Sequence, residues 1–380
     1  MPAVTSHLVH GMGTALVAPT WPAITMAEAE SIVTRFPSAG HVVGLRWHSP
    51  RPFSAAALVH TSRGEFFLKR HHRTVRAPAG LAEEHAFIAH LRTGGVPVPQ
   101  VMQTGNGGGT IVESEWSYEL HRKAPGVDLY RDSPSWTPFL SHNHAHSSGA
   151  ALARLHLVAR SFDAPARSPQ PLVSSFTILR AADPLAAAET YVGARPALAA
   201  FLADRPWQQE LARLLEAWRR GLNGRLTSQP SLWTHNDWHA SNLLWTTDGE
   251  VRTVFDFGLA DRTCALHDLA TAIERSALQW LRLGHGLDDS LADPQAALAI
   301  IAGYRTVLPL SAAHIETVVR LLPLVHLEFA LSEVDYFHGV LGEPDHAAMA
   351  WDTYLIGHAE WFLSPSGRDF ITQIRRGAQP

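Results

Sequence analysis

Cysteine is nearly absent from this chain: Cys264 is the only one in 380 residues. A lone thiol excludes an internal disulfide framework and any multi-cysteine zinc site, and it suits a reducing compartment. Cys264 reads as a small buried or edge residue rather than a nucleophile. An excess of one charge is missing too, because 31 Lys and Arg stand against 35 Asp and Glu, a formal net charge of -4. That balance gives no broad cationic field for nucleic-acid phosphates or anionic lipid headgroups. No apolar run approaches the roughly 20 residues needed to cross a bilayer, and no basic segment followed by a long apolar run opens the chain. The expectation is a cytoplasmic protein with neither nucleic acid nor membrane as partner. Internal repeats and low-complexity linkers are also lacking, and nothing in the sequence indicates an oligomeric state.

What the chain has in quantity is apolar residues, 46% against 17% charged, enough for one large core or two moderate ones. Residues 1–40 read as a leader onto a first lobe, with a short helix over Met26 to Phe36 where Ala, Ile and Val recur at helical spacing. Three strands follow, at Val42–Leu45, Ala55–His60 and Glu65–Lys69, bounded by turn residues. A helix over Ala79–Arg92 places Leu81, Phe87, Ile88 and Leu91 on one face and stops at Gly94-Gly95. Two more strands are drawn, Val98–Gln103 and Thr110–Leu120, joined by the glycine run 105–109. That run lacks a Gly-Lys-Ser/Thr ending and a following helix, so it reads as a hairpin turn and not a phosphate loop.

Beyond a hinge at residues 117–126 the pattern is helical: Gly149–Val158, Trp207–Arg220, Leu266–Leu283, Ala296–Val307, His314–His338 and Ala347–Phe362. One hairpin interrupts it, Leu243–Trp245 with Val251–Phe255 turning at Asp248-Gly249. The predicted fold class is α+β and two-lobed. Residues 41–120 would form a β-rich N-lobe with one inserted helix, and residues 121–380 a mainly helical C-lobe.

Phosphoryl transfer asks a protein for metal ligands, a carboxylate beside the attacking hydroxyl and a cation on the phosphates. The segment His235-Asn236-Asp237-Trp238-His239-Ala240-Ser241-Asn242 has the spacing H-x-D-x-x-x-x-N, making Asp237 a candidate base and Asn242 a candidate magnesium ligand. After the hairpin comes Asp256-Phe257-Gly258, whose aspartate is the second candidate ligand. Either motif alone is a common spacing. In this order, around a hairpin, they are specific. Lys69 closes the third strand where a phosphate-binding cation is expected, and its partner should be a glutamate of the next helix, Glu83 or, favoured by its helical position, Glu84.

Together these residues resemble the aminoglycoside phosphotransferase and choline kinase superfamily. The resemblance extends to Gly149-Ala150-Ala151-Leu152-Ala153-Arg154-Leu155-His156, Glu83-Glu84-His85, Val96-Pro97-Val98-Pro99, Pro125-Gly126 and His267-Asp268-Leu269-Ala270, and spans roughly residues 42–360. The stretch His235–Trp245 with Glu83-Glu84-His85 looks nearest to the bacterial stress-response kinase and type II homoserine kinase branches. The likeness implies a kinase-like fold, ATP and Mg2+ in the cleft, a hydroxyl acceptor delivered from the helical lobe, and Asp268 bracing the catalytic loop.

The turn 48–54 departs from a glycine-rich loop, so Ser49 and Ser54 stand as candidate phosphate contacts beside the reading of a rigid turn. Glu119 and His121 are candidate hinge contacts to the nucleotide. Trp238 and His239 flank the base and are candidates for touching substrate. Glu328, Glu333 and Asp335 would give an acidic lining suited to an amino-bearing acceptor if their helix faces the cleft; a solvated face is the plain alternative. His142, His144 and His146 read as surface residues ahead of a helix, and His156 as a core residue bonded to backbone. The function this implies is transfer of the ATP γ-phosphoryl group to a hydroxyl of a small polar molecule, such as an amino acid, amino sugar or aminoglycoside. The alternatives are a protein serine/threonine kinase of the stress-response type and a nucleotide-binding regulator without transfer activity.

Overall fold

The computed structural model describes residues 19–50, 53–286 and 288–379; residues 1–18 of the leader and Arg51-Pro52 of the turn 48–54 lie outside them. Five antiparallel strands build the first lobe: β1 (Val42–His48), β2 (Ala55–Thr61), β3 (Gly64–His72), β4 (Thr110–Glu113) and β5 (Trp116–Arg122), in the order β1-β2-β3-β5-β4. Strand periodicity sorts β3 into two faces. Phe66, Leu68 and Arg70 are buried on one, while Phe67, Lys69 and His71 alternate onto the other. Helix α1 (Met26–Val33) closes the first face with Ala29, Ile32 and Val33, started by a capping box between Thr25 and Glu28. Glu28 then reaches under the sheet to accept from Arg70 Nη1 (2.7 Å) and Tyr118 Oη (2.9 Å).

Two expected strands turn out differently. The run Thr110–Leu120 is a hairpin, because Ser114 takes a positive φ of 52° and folds β4 back on β5. Residues 98–103 form no strand. Pro97 and Pro99 lack the N–H groups a ladder needs, so the segment stays extended and touches β5 through Met102 N–H to Leu120 O (2.8 Å) and Arg122 N–H to Gln100 O (2.9 Å).

Helix α2 (Pro78–Thr93) follows β3 in sequence but sends Phe87, Ile88 and Leu91 into the core of the second lobe. Phe87 packs on Phe162, Trp233 and Phe257 with ring centroids 5.2, 5.4 and 5.8 Å away. The second lobe starts with α3 (His142–Ala159), longer than expected because Ser141 caps it eight residues before Gly149 and draws His142, His144 and His146 into its first turns. Helices α4 (Pro184–Gly193), α5 (Pro196–Leu202), α6 (Trp207–Arg219) and α7 (Asn223–Thr227) precede the strands β6 (Leu232–Thr234), β7 (Leu243–Trp245), β8 (Val251–Val254) and β9 (Asp261–Thr263). β7 pairs with β8 as the expected hairpin, and β6 pairs with β9.

Helix α8 (Ala265–Ser276) is followed by α9 (Pro294–Arg305), which crosses α3 at glycine: a Cβ on Gly149 would collide with the Ile300 carbonyl, and one on Gly303 with that of His146. The predicted helix His314–His338 is broken at Pro323 into α10 (Ala312–Leu321) and α11 (Leu327–Asp335). Wide π-type turns over 336–341 and 350–357 then flank α12 (Pro344–Met349), before α13 (His358–Trp361) and α14 (Pro365–Gly377).

Candidate active site

The loop between β6 and β7 is held from below by one carboxylate. Asp268 of α8 accepts the backbone N–H of His235 (2.9 Å) on Oδ2 and that of Asn236 (2.8 Å) on Oδ1. His156 of α3 adds its Nε2 to Asp268 Oδ2 (3.0 Å) and its Nδ1 to Tyr304 Oη (2.9 Å), so it bonds to side chains and not to backbone. The Asn236 backbone has a φ of 58°, a left-handed geometry that its side chain secures by accepting from Thr234 Oγ1 (2.9 Å) and donating to Leu259 O (3.2 Å). His235 Nε2 meets Phe255 O (2.9 Å), tying the loop to the end of β8.

These constraints aim Asp237 at the cleft between the lobes. Its Oδ2 accepts from Asn242 Nδ2 (2.9 Å), and its Oδ1 accepts from Arg275 of α8 and lies 3.4 Å from His239 Nε2. Burial pushes this carboxyl up, but the Arg275 guanidinium and His239 outweigh burial and hold it well below the usual carboxylate range. Asn242 spends its amide nitrogen on Asp237 and leaves a buried Oδ1 without a hydrogen-bond partner. Phe255 N–H donates to Asn242 O (3.1 Å), which sets Asp256 one residue beyond the asparagine. Asp256 itself is strained, with a φ of 62°, at a cost of about 1–3 kcal/mol. An orphaned amide oxygen and a nearby carboxylate are hard oxygen donors of the kind Mg2+ takes.

Across the cleft Lys69 Nζ lies 3.6 Å from Asp256 Oδ1 and 3.9 Å from Glu119 Oε1. Burial pulls the ammonium down, but Asp256, Glu119 and Glu84 together hold it well above its ordinary range. The expected Lys69–Glu84 ion pair is therefore not formed. Glu84 lines the cavity but pairs with Arg167 Nη2 at 3.8 Å, as Glu83 does with Arg167 Nε at 3.7 Å. The sheet supplies the counter-ion instead, since Glu119 sits directly opposite Lys69 in the β3–β5 register.

One cavity brings together Ser54, Lys69, Glu84, Glu119, Asp237, His239, Asp256 and Glu333. Other candidates stay outside it. Ser49 lies beyond the lining, its backbone N–H spent on Ala56 O (2.8 Å). His121 lies behind Glu119, donating to Oε2 (2.8 Å). Trp238 is fully buried with its Nε1 on Ser148 Oγ (2.8 Å), so it packs the C-lobe and does not face substrate. Glu328 points the other way on α11, accepting from Thr177 Oγ1 (2.9 Å), Ile178 N–H (2.6 Å) and Ser175 Oγ (2.5 Å). Asp335 accepts Leu198 N–H (3.2 Å) outside the cavity. Of the three acidic candidates, only Glu333 lines it.

Residue Glu333 is buried, and its Oε2 has no hydrogen-bond partner. Burial pushes the carboxyl up to about 8, Asp237 pushes the same way, and Arg275 opposes them. Trp136 and Phe329 line the same wall, with the Arg275 guanidinium 4.2 and 5.2 Å from their ring centroids.

The sequence model of the phosphotransferase enzyme family (APH) matches residues 53–310. The chain belongs to this family. As a member of it the protein is a phosphotransferase, and the matched span contains Lys69, Asp237, Asn242 and Asp256. No curated protein sequence matches the chain. Among solved structures, it is similar to a microcompartment-associated aminopropanol kinase, 19% identical with a TM-score of 0.57, covering 90% of this chain and 99% of that one. An amicoumacin kinase in complex with AMP-PNP, Ca2+ and Ami is 15% identical, TM-score 0.56, with coverage of 92% and 93%. An aminoglycoside phosphotransferase from Alicyclobacillus acidocaldarius is 14% identical, TM-score 0.51, with coverage of 96% and 98%. These likenesses show a shared two-lobed fold.

Sequence reasoning missed several residues that the phosphotransferase cleft brings together. Arg76 lines it and donates to Gly258 O (3.0 Å), its guanidinium pulled down to about 10 by burial and by Arg167. Arg275, Trp136 and Phe329 were also unanticipated, and they meet only through long-range packing. The one sequence signal for Arg275 is an arginine late in the predicted apolar helix that follows Asp256-Phe257-Gly258, and it went unread.

Proposed function

We propose that this protein transfers the γ-phosphoryl group of ATP, with Mg2+, to a hydroxyl of a small amine-bearing molecule. The observation that carries the reading is the convergence of Asp237, Asn242 and Asp256 on one side of the cleft with Lys69 on the other. Asn242 Oδ1 and Asp256 would hold Mg2+, which neutralises phosphate charge when bound. Lys69, kept cationic by its carboxylate neighbours, fits the phosphates. Asp237 orients the acceptor hydroxyl and accepts its proton as that oxygen attacks the γ-phosphorus and the bond to the ADP oxygen breaks. Because Arg275 and His239 keep Asp237 ionised, its part is to position the hydroxyl more than to act as a strong base.

Glu333 supports the amine. A buried carboxylate with an unspent oxygen, beside Trp136 and Phe329, suits an ammonium group through charge pairing and cation–π contact. The decisive assay offers ATP and Mg2+ with hydroxylated amino acids, aminopropanol, amino sugars, aminoglycosides and protein substrates. Transfer to an amino alcohol, lost in Asp237→Asn, supports the reading. Transfer that survives Asp237→Asn sinks the mechanism, and phosphorylated protein with no small acceptor would replace the acceptor class.

A further inference from the structure

Two clusters of imidazole and carboxylate stand in this fold, and they use their lone pairs differently. In the first, Glu119 accepts from His71 Nε2 (3.1 Å), His85 Nε2 (2.7 Å) and His121 Nε2 (2.8 Å), with Lys69 at 3.9 Å. Burial pushes Glu119 up, but the histidines hold it well below the usual range. Those three ring N–H groups and the Lys69 ammonium meet a carboxylate, so the ligand atoms facing one another already have their hydrogens between them.

The second cluster, Glu274 of α8, His326 just before α11 and His358 at the start of α13, is closed only in part, by one hydrogen bond between His358 Nδ1 and Glu274 Oε1. His326 Nε2 donates to Leu355 O (3.0 Å), which places the ring's single proton there and leaves a bare lone pair on Nδ1. That Nδ1 is buried without a partner, and so is Glu274 Oε2. Glu274 Oε1 lies 3.0 Å from His358 Nδ1, and one ligand atom from each residue falls within 4.8 Å of the others. All three residues are at most 2% exposed. The cluster thus holds two buried acceptors, Glu274 Oε2 and His326 Nδ1, that the described residues leave without a donor, and a cation, or a proton carried by Glu274 itself, would complete it.

We propose that Glu274, His326 and His358 form a binding site for a divalent metal ion of the zinc type. Two imidazoles and a carboxylate are a zinc donor set, with a fourth position left for water. The Leu355 carbonyl fixes the tautomer of His326 from outside the site, as outer partners of metal-bound histidines do. His358 is held flat against Trp280, ring centroids 3.6 Å apart and planes 15° from parallel. The neighbouring cation, Arg275, is already engaged by Asp237. Bound there, the metal ties α8, which carries Arg275, to α11, which carries Phe329 and Glu333, and so fixes one wall of the cavity. The site stands whatever the phosphoryl acceptor proves to be.

The test is elemental analysis of the full chain, purified without a histidine tag from zinc-supplemented medium, with about one zinc per chain expected. Glu274→Gln and His326→Gln should lose that zinc, while the His85→Gln/His121→Gln double variant keeps it. Chain produced in cobalt medium should show the visible bands of four-coordinate Co2+, and this readout stands even if the variants fail to fold. Wild-type chain that carries neither zinc nor the cobalt bands overturns the proposal. Zinc retained in His326→Gln but lost from the His85/His121 variant overturns it equally, by placing the metal at Glu119.

Discussion

Arg275 donates through Nη1 to Asp237 Oδ1 while its guanidinium carbon rests 4.2 Å from the Trp136 ring centroid. The carboxylate proposed to meet the acceptor is thereby paired with a cation walled by aromatic rings. Replacing Arg275 with Leu takes the main counter-charge from a mostly buried Asp237 and leaves it only His239, and unfolding free energy should fall by about 3 kcal/mol. The same change releases Asp237 from the group that holds it low, so kcat should gain an acid limb, falling as pH drops through the ordinary carboxylate range. Arg275→Lys keeps a charge but loses the planar fork over Trp136 and should lie between the two. Denaturant titration and a kcat–pH profile check both expectations.

Asp237→Asn should lower kcat by about 10²–10⁴-fold while leaving nucleotide affinity near that of the wild type, because Asp237 bonds to Asn242 and Arg275 and not to Lys69. Asp256→Ala should do the reverse and weaken magnesium-dependent nucleotide binding, since Asp256 is both a candidate ligand and the Lys69 contact at 3.6 Å. Calorimetric titration of each variant with a non-hydrolysable nucleotide separates the two.

Glu333 carries two linked pH effects. Its folded carboxyl is pushed from 4.5 to about 8, so between these values the native state holds a proton that the unfolded chain has released. Stability contributed by this group is therefore full below 4.5 and lost as pH rises toward 8, a slope of a few kcal/mol in total that Glu333→Gln should abolish. Affinity for a cationic acceptor runs the other way, and KM should fall as pH rises through about 8 and the carboxylate ionises. In Glu333→Gln, KM for an amine-bearing acceptor should rise at least 30-fold, about 2 kcal/mol or more.

Glu119→Gln should raise KM for ATP more than Glu84→Gln does, because Glu119 is the cross-strand partner of Lys69 and Glu84 spends its charge on Arg167. Glu119 is also held well below 4.5 by its histidines. Its contribution to stability is present above 4.5 and lost as pH falls through the lowered folded value, so the glutamine variant should show a flatter acid limb in thermal denaturation.

The part of this site that lies close in sequence was legible in the chain. Asp237, Asn242 and Asp256 share one loop and one hairpin, and the spacing that marks them is the spacing that brings them together. Glu119 was named as a hinge residue, but its role opposite Lys69 depends on β5 pairing with β3, and the run Thr110–Leu120 gave no hint of the turn at Ser114. Trp238 was misplaced because neighbours in a loop point to opposite sides, and its indole faces Ser148. On α11 the acidic residues divide by helical phase: Glu333 faces the cavity, while Glu328 and Asp335 face α4, α5 and the segment before them. The helix drawn over His314–His338 ran through Pro323, where the missing N–H in fact divides α10 from α11.

Helix α2 belongs by sequence to the first lobe but buries Phe87 against Trp233 and Phe257 of the second. The same helix also holds Glu119 of the sheet through His85 Nε2 (2.7 Å), so any opening of the cleft about the chain after β5 would strain its contacts with one lobe or the other. A lysine that relied on Glu84 would lose its counter-charge whenever α2 stayed with the C-lobe. Glu119 travels on the same sheet as Lys69, so the ammonium keeps a carboxylate beside it through the whole stroke, and Asp256 becomes the contact that is made and broken as the lobes meet and part.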